Sequence, residues 1–232
     1  MELTLKIHEI KIWLYAFFLT NRYGIKLQNI PKHSDKKKLR LEYAKKLFNK
    51  MNIEINVENH TKIPQEGKYI FLVNHRSIID PLILDIALQN SPIFGLWIAK
   101  TELYNSFFFG NAVRNGGCIK VSRDKTQIRE FFSDIKKGLE KGSSICIFPE
   151  GTRNKTEDSL LTFKEGVRII ALKNKIPILP VYIKTRTDIS LKQALSNSTS
   201  ATEVIVEFGD PIMYNNKENI ETLYREMFHI KH

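Results

Sequence analysis

From about residue 57 onward, this 232-residue chain alternates short apolar runs with stretches of helical periodicity. The apolar runs at residues 68–73, 118–121, 143–148, 178–183 and 201–208 are predicted strands, and residues 80–89, 128–141, 163–174 and 219–228 are predicted helices. Strands that alternate with helices favour a single α/β domain with a mostly parallel central sheet flanked by helices. Pro180 lies inside one run, so we expect it near a sheet edge or a strand end.

The first 50 residues differ from the rest in charge. They contain twelve Lys or Arg residues against four Asp or Glu, and so hold +8 of the net charge of +11. We therefore divide the chain into an N-terminal amphipathic two-helix hairpin, residues 1–55, and an α/β domain, residues 56–232. A basic segment predicts an anionic partner, which could be a membrane surface, a phosphorylated metabolite or nucleic acid.

The first hairpin helix carries eight consecutive apolar residues at 12–19. That is short of the roughly 17–25 residues that a membrane-spanning helix needs. A signal peptide is not indicated, because Glu2 precedes the run and no small-residue cleavage site follows it. We expect a helix lying in the membrane interface, with four aromatic side chains in the headgroup region: Trp13, Tyr15, Phe17 and Phe18.

A second helix is predicted after Pro31, where every fourth residue is apolar: Leu39, Tyr43, Leu47 and Met51. Its other face is basic and is predicted to meet anionic lipid: Lys36, Lys37, Arg40, Lys45 and Lys46. The alternative is a hairpin that packs on the core and leaves its basic face in solvent. The membrane interpretation predicts a peripheral, monotopic protein at the cytoplasmic face of the inner membrane, without a spanning helix.

Other classes are disfavoured by what the sequence lacks. Its two cysteines, Cys118 and Cys146, are too few for a disulfide framework and are expected in the core of a protein from a reducing compartment. No common nucleic-acid-binding motif occurs, and the basic residues cluster beside an apolar run. The histidines show no metal-ligand spacing except His229-x-x-His232, which fits a frayed helix end, so neither a metal nor a cofactor is expected.

Chemically useful side chains follow two of the predicted strands, where active sites of parallel sheets collect. His75 follows the run at 68–73, and Asp80 comes five residues later. The carboxylate could accept the Nδ1 proton and leave Nε2 free as a general base. The alternatives are an Asp80 that caps a helix before Pro81, and an ordinary core or surface histidine.

The second segment is Phe-Pro-Glu-Gly-Thr-Arg at residues 148–153, after the third strand. Glu150 could bind a substrate hydroxyl, Gly151 allows close backbone approach, and Arg153 offers a planar donor pair for phosphate. Arg123 follows another strand. A turn with no role in chemistry would also explain a Pro/Gly pair after a strand.

In this order, four segments resemble the glycerolipid acyltransferase family, specifically the 1-acyl-sn-glycerol-3-phosphate acyltransferases. Asn74, His75 and Asp80 match the NHxxxxD motif, residues 117–123 match the block that ends in Arg123, residues 148–153 match FPEGTR, and residues 178–183 match the apolar strand with proline. Ile119 and Lys120 depart mildly from the second block, where an aromatic residue is common.

The resemblance implies that His75, oriented by Asp80, activates the free hydroxyl of 1-acyl-sn-glycerol 3-phosphate. That hydroxyl would attack an acyl thioester, either acyl-CoA or acyl carrier protein, and yield phosphatidic acid without an acylated protein. The substrate-binding residues that it implies are Lys100, Arg123, Glu150, Gly151, Thr152 and Arg153. An apolar tunnel near residues 103–109 would hold the acyl chain. Alternatives are another lysolipid acceptor, such as a lyso-ornithine lipid or lysophosphatidylcholine, a non-catalytic membrane-binding protein of this fold, or a basic nucleic-acid-binding protein.

Overall fold

Two long helices precede the sheet in the computed structural model, which describes residues 2–122, 125–196 and 200–231. The first, α1, spans Glu2–Gln28, and the second, α2, spans His33–Met51. Pro31 lies in the short connection between them. The two predicted N-terminal helices are therefore confirmed, and α1 extends well beyond its apolar run on both sides.

In the described part of the chain, seven strands form one sheet in the order β1-β7-β6-β2-β5-β3-β4. They are β1 (Ile53–Glu58), β2 (Ile70–Val73), β3 (Gly95–Lys100), β4 (Cys118–Val121), β5 (Ser144–Ile147), β6 (Ile178–Ile183) and β7 (Thr202–Phe208). Neighbouring strands are parallel except for β6 and β7, which are antiparallel. The predicted α/β domain with a mostly parallel sheet is confirmed. The sequence analysis missed β1 and β3.

Helices cover both faces of this sheet. They are α3 (Asp80–Ala87), α4 (Thr101–Tyr104), α5 (Gly110–Asn115), α6 (Ile128–Glu140), α7 (Gly166–Asn174), α8 (Thr187–Ser196) and α9 (Ile220–Met227), with short 3₁₀ turns at His60–Lys62 and Lys125–Gln127. Side chains of α1, α2, α3 and α8 pack in one core layer, and side chains of α6, α7 and α9 pack in the other.

Strand β2 shows why the sequence contains continuous apolar runs. Ile70 and Leu72 point into one core layer and Phe71 and Val73 into the other, and all four side chains are fully buried. A parallel strand that is covered on both faces needs apolar residues at every position rather than at alternate ones.

Pro180 lies on an inner strand, so the expected position near a sheet edge is wrong. The carbonyl of Pro180 accepts a hydrogen bond from Gly209 N–H, just after β7 ends. The nitrogen of a strand residue faces the same neighbouring strand as its carbonyl, so the Pro180 nitrogen also faces the side of β7. The β6–β7 pairing begins only at Val181. The missing N–H therefore falls where the β6–β7 ladder ends, although Pro180 lies in the middle of β6, so the expected position at a strand end is wrong as well.

The hairpin packs into the core of the α/β body. Ile12 of α1 and Phe48 of α2 lie in the same core layer as Phe71 and Val181. The division into residues 1–55 and 56–232 stays a prediction, and its boundary falls inside β1, which pairs with β7 from Ile53 onward.

Much of the predicted basic face of α2 points inward, which corrects the expectation that it meets lipid. Arg40 is buried, forms an ion pair with Asp85 of α3, and donates to the carbonyl of Gly95 at 2.8 Å. Lys37 Nζ donates to carbonyls at the end of α3 and before β3, and Lys36 Nζ to one at the end of α5. Carbonyls that regular structure leaves without partners attract these cations. Two residues of that face are exposed: Lys45 and Lys46.

Candidate active site

The side chains expected to do chemistry collect at one edge of the sheet. His75 follows the end of β2, Glu150 follows the end of β5, and Lys100 ends β3. These three strands are parallel neighbours, so their carboxyl ends meet at the same edge.

Asp80 and His75 form the contact that their spacing predicts. His75 Nδ1 lies 2.8 Å from Asp80 Oδ2, which also accepts the N–H groups of Arg76 and Ser77 at 2.7 Å each. The other oxygen, Oδ1, accepts the hydroxyl of Thr187 at 2.6 Å. Asp80 is fully buried, and both of its carboxylate oxygens accept hydrogen bonds. When His75 Nδ1–H donates to the Asp80 carboxylate, Nε2 keeps a lone pair, which is the arrangement that a general base requires.

Asp80 does not cap α3 in the ordinary way, so that alternative explanation is wrong. The residue before the helix is Ile79, and no side chain makes a capping hydrogen bond there. The Asp80 carboxylate instead accepts the N–H groups of Arg76 and Ser77, which precede the helix. These hydrogen bonds fold the loop after β2 back over the Asp80 side chain.

The imidazole ring is fixed by aromatic stacking as well as by hydrogen bonding. Phe148 lies parallel to His75 with ring centroids 3.8 Å apart and an interplanar angle of 11°. Trp97 of β3 stacks on the other side of Phe148 at 4.8 Å. The ring therefore has little freedom to turn away from Asp80.

The peptide groups of His75 are held by the segment that contains FPEGTR. The N–H of His75 donates to Glu150 Oε1 at 2.7 Å, and its carbonyl accepts from Asn154 N–H at 2.7 Å. Asn74 exchanges two hydrogen bonds with the backbone of Ile183, which ties the ends of β2 and β6 together. Three sheet strands thus hold the histidine in place.

Glu150 is a buried carboxylate whose oxygens both accept backbone amides. Besides the N–H of His75 at Oε1, Leu161 N–H donates to Oε2 at 2.9 Å, and the residue is only 2% exposed. Burial disfavours the charge and raises the pKa of Glu150 to about 7, although the hydrogen bonds from Leu161 and His75 act in the opposite direction. Glu150 therefore positions His75, and its contact with a substrate hydroxyl stays a prediction.

The other predicted substrate-binding residues lie close to this edge, and one is outside the described residues. Gly151, Thr152 and Arg153 are exposed, and Gly151 has a φ of +67°, which favours glycine. Within the described ranges, the side chains of Arg153 and Lys100 contact no acidic or hydrogen-bonding partner. Arg123 lies in the gap at residues 123–124.

The sequence analysis missed two residues that support the site. Arg76 is buried, and its guanidinium donates to the carbonyls of Thr156, at 3.1 Å, and Asp158. Thr187 binds Asp80 across 107 positions of sequence. A charged residue next to the histidine is a weak signal for Arg76, and no local pattern identifies Thr187.

An apolar cavity of about 40 Å³ lies between α1, α2 and the loop that leads to Asp80. Its walls include Ile12, Leu47, Ile79, Phe108 and Phe109. The two phenylalanines belong to the stretch at residues 103–109 where the sequence analysis expects an acyl-chain tunnel. That role stays a prediction.

Across the described ranges, no three His, Cys, Asp or Glu side chains come together as metal ligands would. Burial raises the pKa of the Cys118 thiol to about 11 and that of the Cys146 thiol further, so both are protonated near neutral pH.

Comparison with known proteins identifies similar sequences and a similar fold. A family model described as acyltransferase matches residues 54–184. The 1-acyl-sn-glycerol-3-phosphate acyltransferase of Helicobacter pylori is 31% identical over 171 residues, which are 70% of this chain and 71% of that protein. The enzyme of the same name from Streptococcus pneumoniae is 28% identical over 179 residues, 75% of this chain and 63% of that protein.

The fold resembles a crystal structure of the 1-acyl-sn-glycerophosphate acyltransferase from Thermotoga maritima. The TM-score is 0.69 at 21% sequence identity, and the match covers 97% of this chain and 93% of that one. The likeness extends over the N-terminal helices as well as the sheet.

Proposed function

This chain belongs to the acyltransferase family, and from that premise we propose that it transfers a fatty acyl group from a thioester to the free hydroxyl of 1-acyl-sn-glycerol 3-phosphate. The products are phosphatidic acid and a free thiol. The observation that carries the proposal is the 2.8 Å contact between His75 Nδ1 and Asp80, which leaves Nε2 available at the sheet edge. The names of the relatives from Helicobacter and Streptococcus support this choice of acceptor.

In the proposed reaction, the acceptor hydroxyl attacks the thioester carbonyl carbon while His75 Nε2 takes its proton. The carbon–sulfur bond then breaks, and the leaving thiolate takes the proton back from the imidazolium. A positioned base contributes roughly 10²–10⁴-fold. Alignment of the two reactants can supply about 7–11 kcal/mol of the barrier, so binding contributes the larger part.

Alignment of the acceptor requires side chains that bind its phosphate. The exposed guanidinium of Arg153 is free to bind phosphate through two parallel hydrogen bonds, and Lys100 adds a second cation at the same edge. The resemblance to the family adds Arg123. A lysolipid without a terminal phosphate offers no such group, which favours 1-acyl-sn-glycerol 3-phosphate over lysophosphatidylcholine and lyso-ornithine lipid.

The function test compares acceptors and donors directly. Purified protein is given acyl-CoA or acyl-carrier protein with each of the three lysolipids, and thiol release and product mass are measured, with His75→Ala as the blank. We expect the highest kcat/KM with 1-acyl-sn-glycerol 3-phosphate. A higher value with either of the other lysolipids would contradict the proposed acceptor, and the donor comparison decides between CoA and carrier protein.

The proposed acceptor is a lipid, so the enzyme works at a membrane surface, and α1 has a face suited to one. Its inward face carries buried residues such as Ile12 and Ala16. Its opposite face is an exposed apolar stripe at helical spacing: Ile7, Ile10, Leu14, Phe18 and Ile25. Exposed cations lie along the same helix: Lys11, Arg22 and Lys26.

Of the four aromatic residues predicted to lie in the headgroup region, Phe18 belongs to this stripe, whereas Trp13, Tyr15 and Phe17 do not. Trp13 packs against Phe108 with centroids 5.9 Å apart, and Phe17 stacks on Phe107 at 5.1 Å. Phe18 is 67% exposed and Phe107 is 86% exposed, so the loop before α5 extends the apolar surface. In residues 2–122, 125–196 and 200–231, no helix combines the length and the apolar character that crossing a bilayer demands.

Surface substitutions test membrane binding without removing core residues, as deletion of the hairpin would. We expect Phe18→Ser with Phe107→Ser to abolish sedimentation with vesicles that contain phosphatidylglycerol. The matched control is Ile169→Ser with Leu172→Ser, two exposed apolar residues of α7 on the opposite layer. Wild-type sedimentation should also fall at high salt. Undiminished sedimentation of the Phe18/Phe107 variant would contradict this role of α1.

A further inference from the structure

Thr187 is a buried hydroxyl that contacts the carboxylate behind the proposed base. It is the first residue of α8, is 1% exposed, and donates to Asp80 Oδ1 at 2.6 Å. Asp80 Oδ2 is used differently, because it accepts His75 Nδ1 and two backbone amides. In the described part of the chain, Thr187 is the sole hydrogen-bond donor to Oδ1.

We propose that Thr187 is a positioning residue for acyl transfer, whose hydroxyl fixes the rotation of the Asp80 carboxylate so that Oδ2 meets His75 Nδ1. This inference rests on the proposed function, since it concerns the same base. Rotation about the Cβ–Cγ bond moves both oxygens together, so a hydrogen bond that holds Oδ1 also resists any turn that would carry Oδ2 away from His75 Nδ1.

The local structure of the turn into α8 does not depend on this hydroxyl. Arg186 accepts hydrogen bonds from Ile189 N–H and Ser190 N–H at its carbonyl, each at 3.0 Å, and its guanidinium pairs with Asp188. The turn and the first helical residues therefore have their own hydrogen bonds. Thr187 uses its side chain on Asp80, which lies on a different element, and this suggests a role beyond starting the helix.

The test compares Thr187→Val, which keeps the shape and removes the hydroxyl, with Thr187→Ser, which keeps the hydroxyl. For Thr187→Val we expect kcat to fall about tenfold or more with KM for the acceptor within about threefold, since hydrogen bonds to charged groups are among the stronger ones. Thr187→Ser should stay within about threefold of wild type in kcat.

A readout that needs no substrate separates this inference from the proposed function. We expect the His75 Nδ1 proton to give a downfield NMR resonance in wild type and Thr187→Ser, and to be shifted or lost in Thr187→Val. If the wild type made no phosphatidic acid, the proposed function would fail while this resonance still decided the role of Thr187.

The control is Thr222→Val, at an exposed position of α9, which should behave as wild type. If Thr187→Val does not fold, Thr187→Ala removes the hydroxyl with less bulk and takes its place. A hydroxyl-free variant with wild-type kcat and resonance would overturn the inference. So would a Thr187→Ser variant as impaired as Thr187→Val.

Discussion

Replacing Glu150 with glutamine should have two separate effects, one on the stability of the protein and one on the alignment of its base, His75. The two carboxylate oxygens accept His75 N–H at 2.7 Å and Leu161 N–H at 2.9 Å. Glutamine has the same shape but only one oxygen, so one of the two amides faces an NH₂ group instead of an acceptor. A buried donor without an acceptor costs about 1–3 kcal/mol.

The stability of wild type falls as the pH rises, which offsets the cost of the substitution, because the buried Glu150 carboxyl is itself costly to ionise. The pKa of Glu150 is raised from 4.5 to about 7, so the folded state holds a proton that the unfolded state releases. Its contribution to stability is fully present below pH 4.5 and is lost as the pH rises through 7. At 1.36 kcal/mol per pH unit, wild type loses about 3 kcal/mol across that window, and a glutamine, which does not titrate, loses none.

We therefore expect Glu150→Gln to be less stable than wild type near pH 5 and to match or exceed it near pH 8, while kcat falls roughly 10–100-fold because the histidine is displaced. Urea unfolding from pH 5 to 8 and thiol release with an acyl-CoA donor measure the two effects. The control is Glu66→Gln, an exposed position at the opposite end of β2. Parallel stability curves for wild type and variant, or an unchanged kcat, would refute this reasoning.

Three further predictions concern the base, the acceptor site and the core. His75→Ala should lower kcat by roughly 10²–10⁴, and Asp80→Asn should give a kcat between those of His75→Ala and wild type by mis-setting the imidazole. A His75→Ala protein with wild-type thiol release would exclude His75 as the base. Arg153→Ala should raise KM for the lysolipid about tenfold and leave KM for the thioester unchanged, because the guanidinium is assigned to the phosphate; a change confined to the thioester would mean that it binds the donor. Asp85→Asn should lower the unfolding free energy by about 3–5 kcal/mol, since it leaves the Arg40 charge buried without its partner. The double variant Arg40→Met with Asp85→Leu should recover most of that loss in urea unfolding. Equal losses in both proteins would contradict the pairing argument.

Features that depend on neighbouring residues could be predicted from the sequence. His75 and Asp80 are five positions apart, so a single loop brings them together, and the aromatic residue at 148 and glutamate at 150 follow a strand next to theirs. The continuous apolar runs predicted buried strands because a two-sided parallel sheet requires them. In hindsight β1 also had a signal, since Ile53, Ile55 and Val57 alternate with polar residues.

Features that depend on distant partners could not be predicted. The inward position of Arg40 is set by Asp85 and by carbonyls near β3, which a helical pattern in α2 does not contain. The contact of Glu150 with the peptide of His75 has no sequence signal, because its partners are backbone amides, which every residue type except proline supplies. By contrast, the missed strand β3 did carry a local signal, because residues 96–99 form a continuous apolar run.

The hydrogen bonds that hold the peptide groups of His75 have a consequence for the chain during its synthesis. The histidine leaves the ribosome long before Glu150, Asn154 and Thr187, yet each of these later residues holds it or its carboxylate partner. An unfinished chain therefore contains the reactive side chain without the groups that aim it. The full set of contacts around His75 is complete only when synthesis has passed the start of α8.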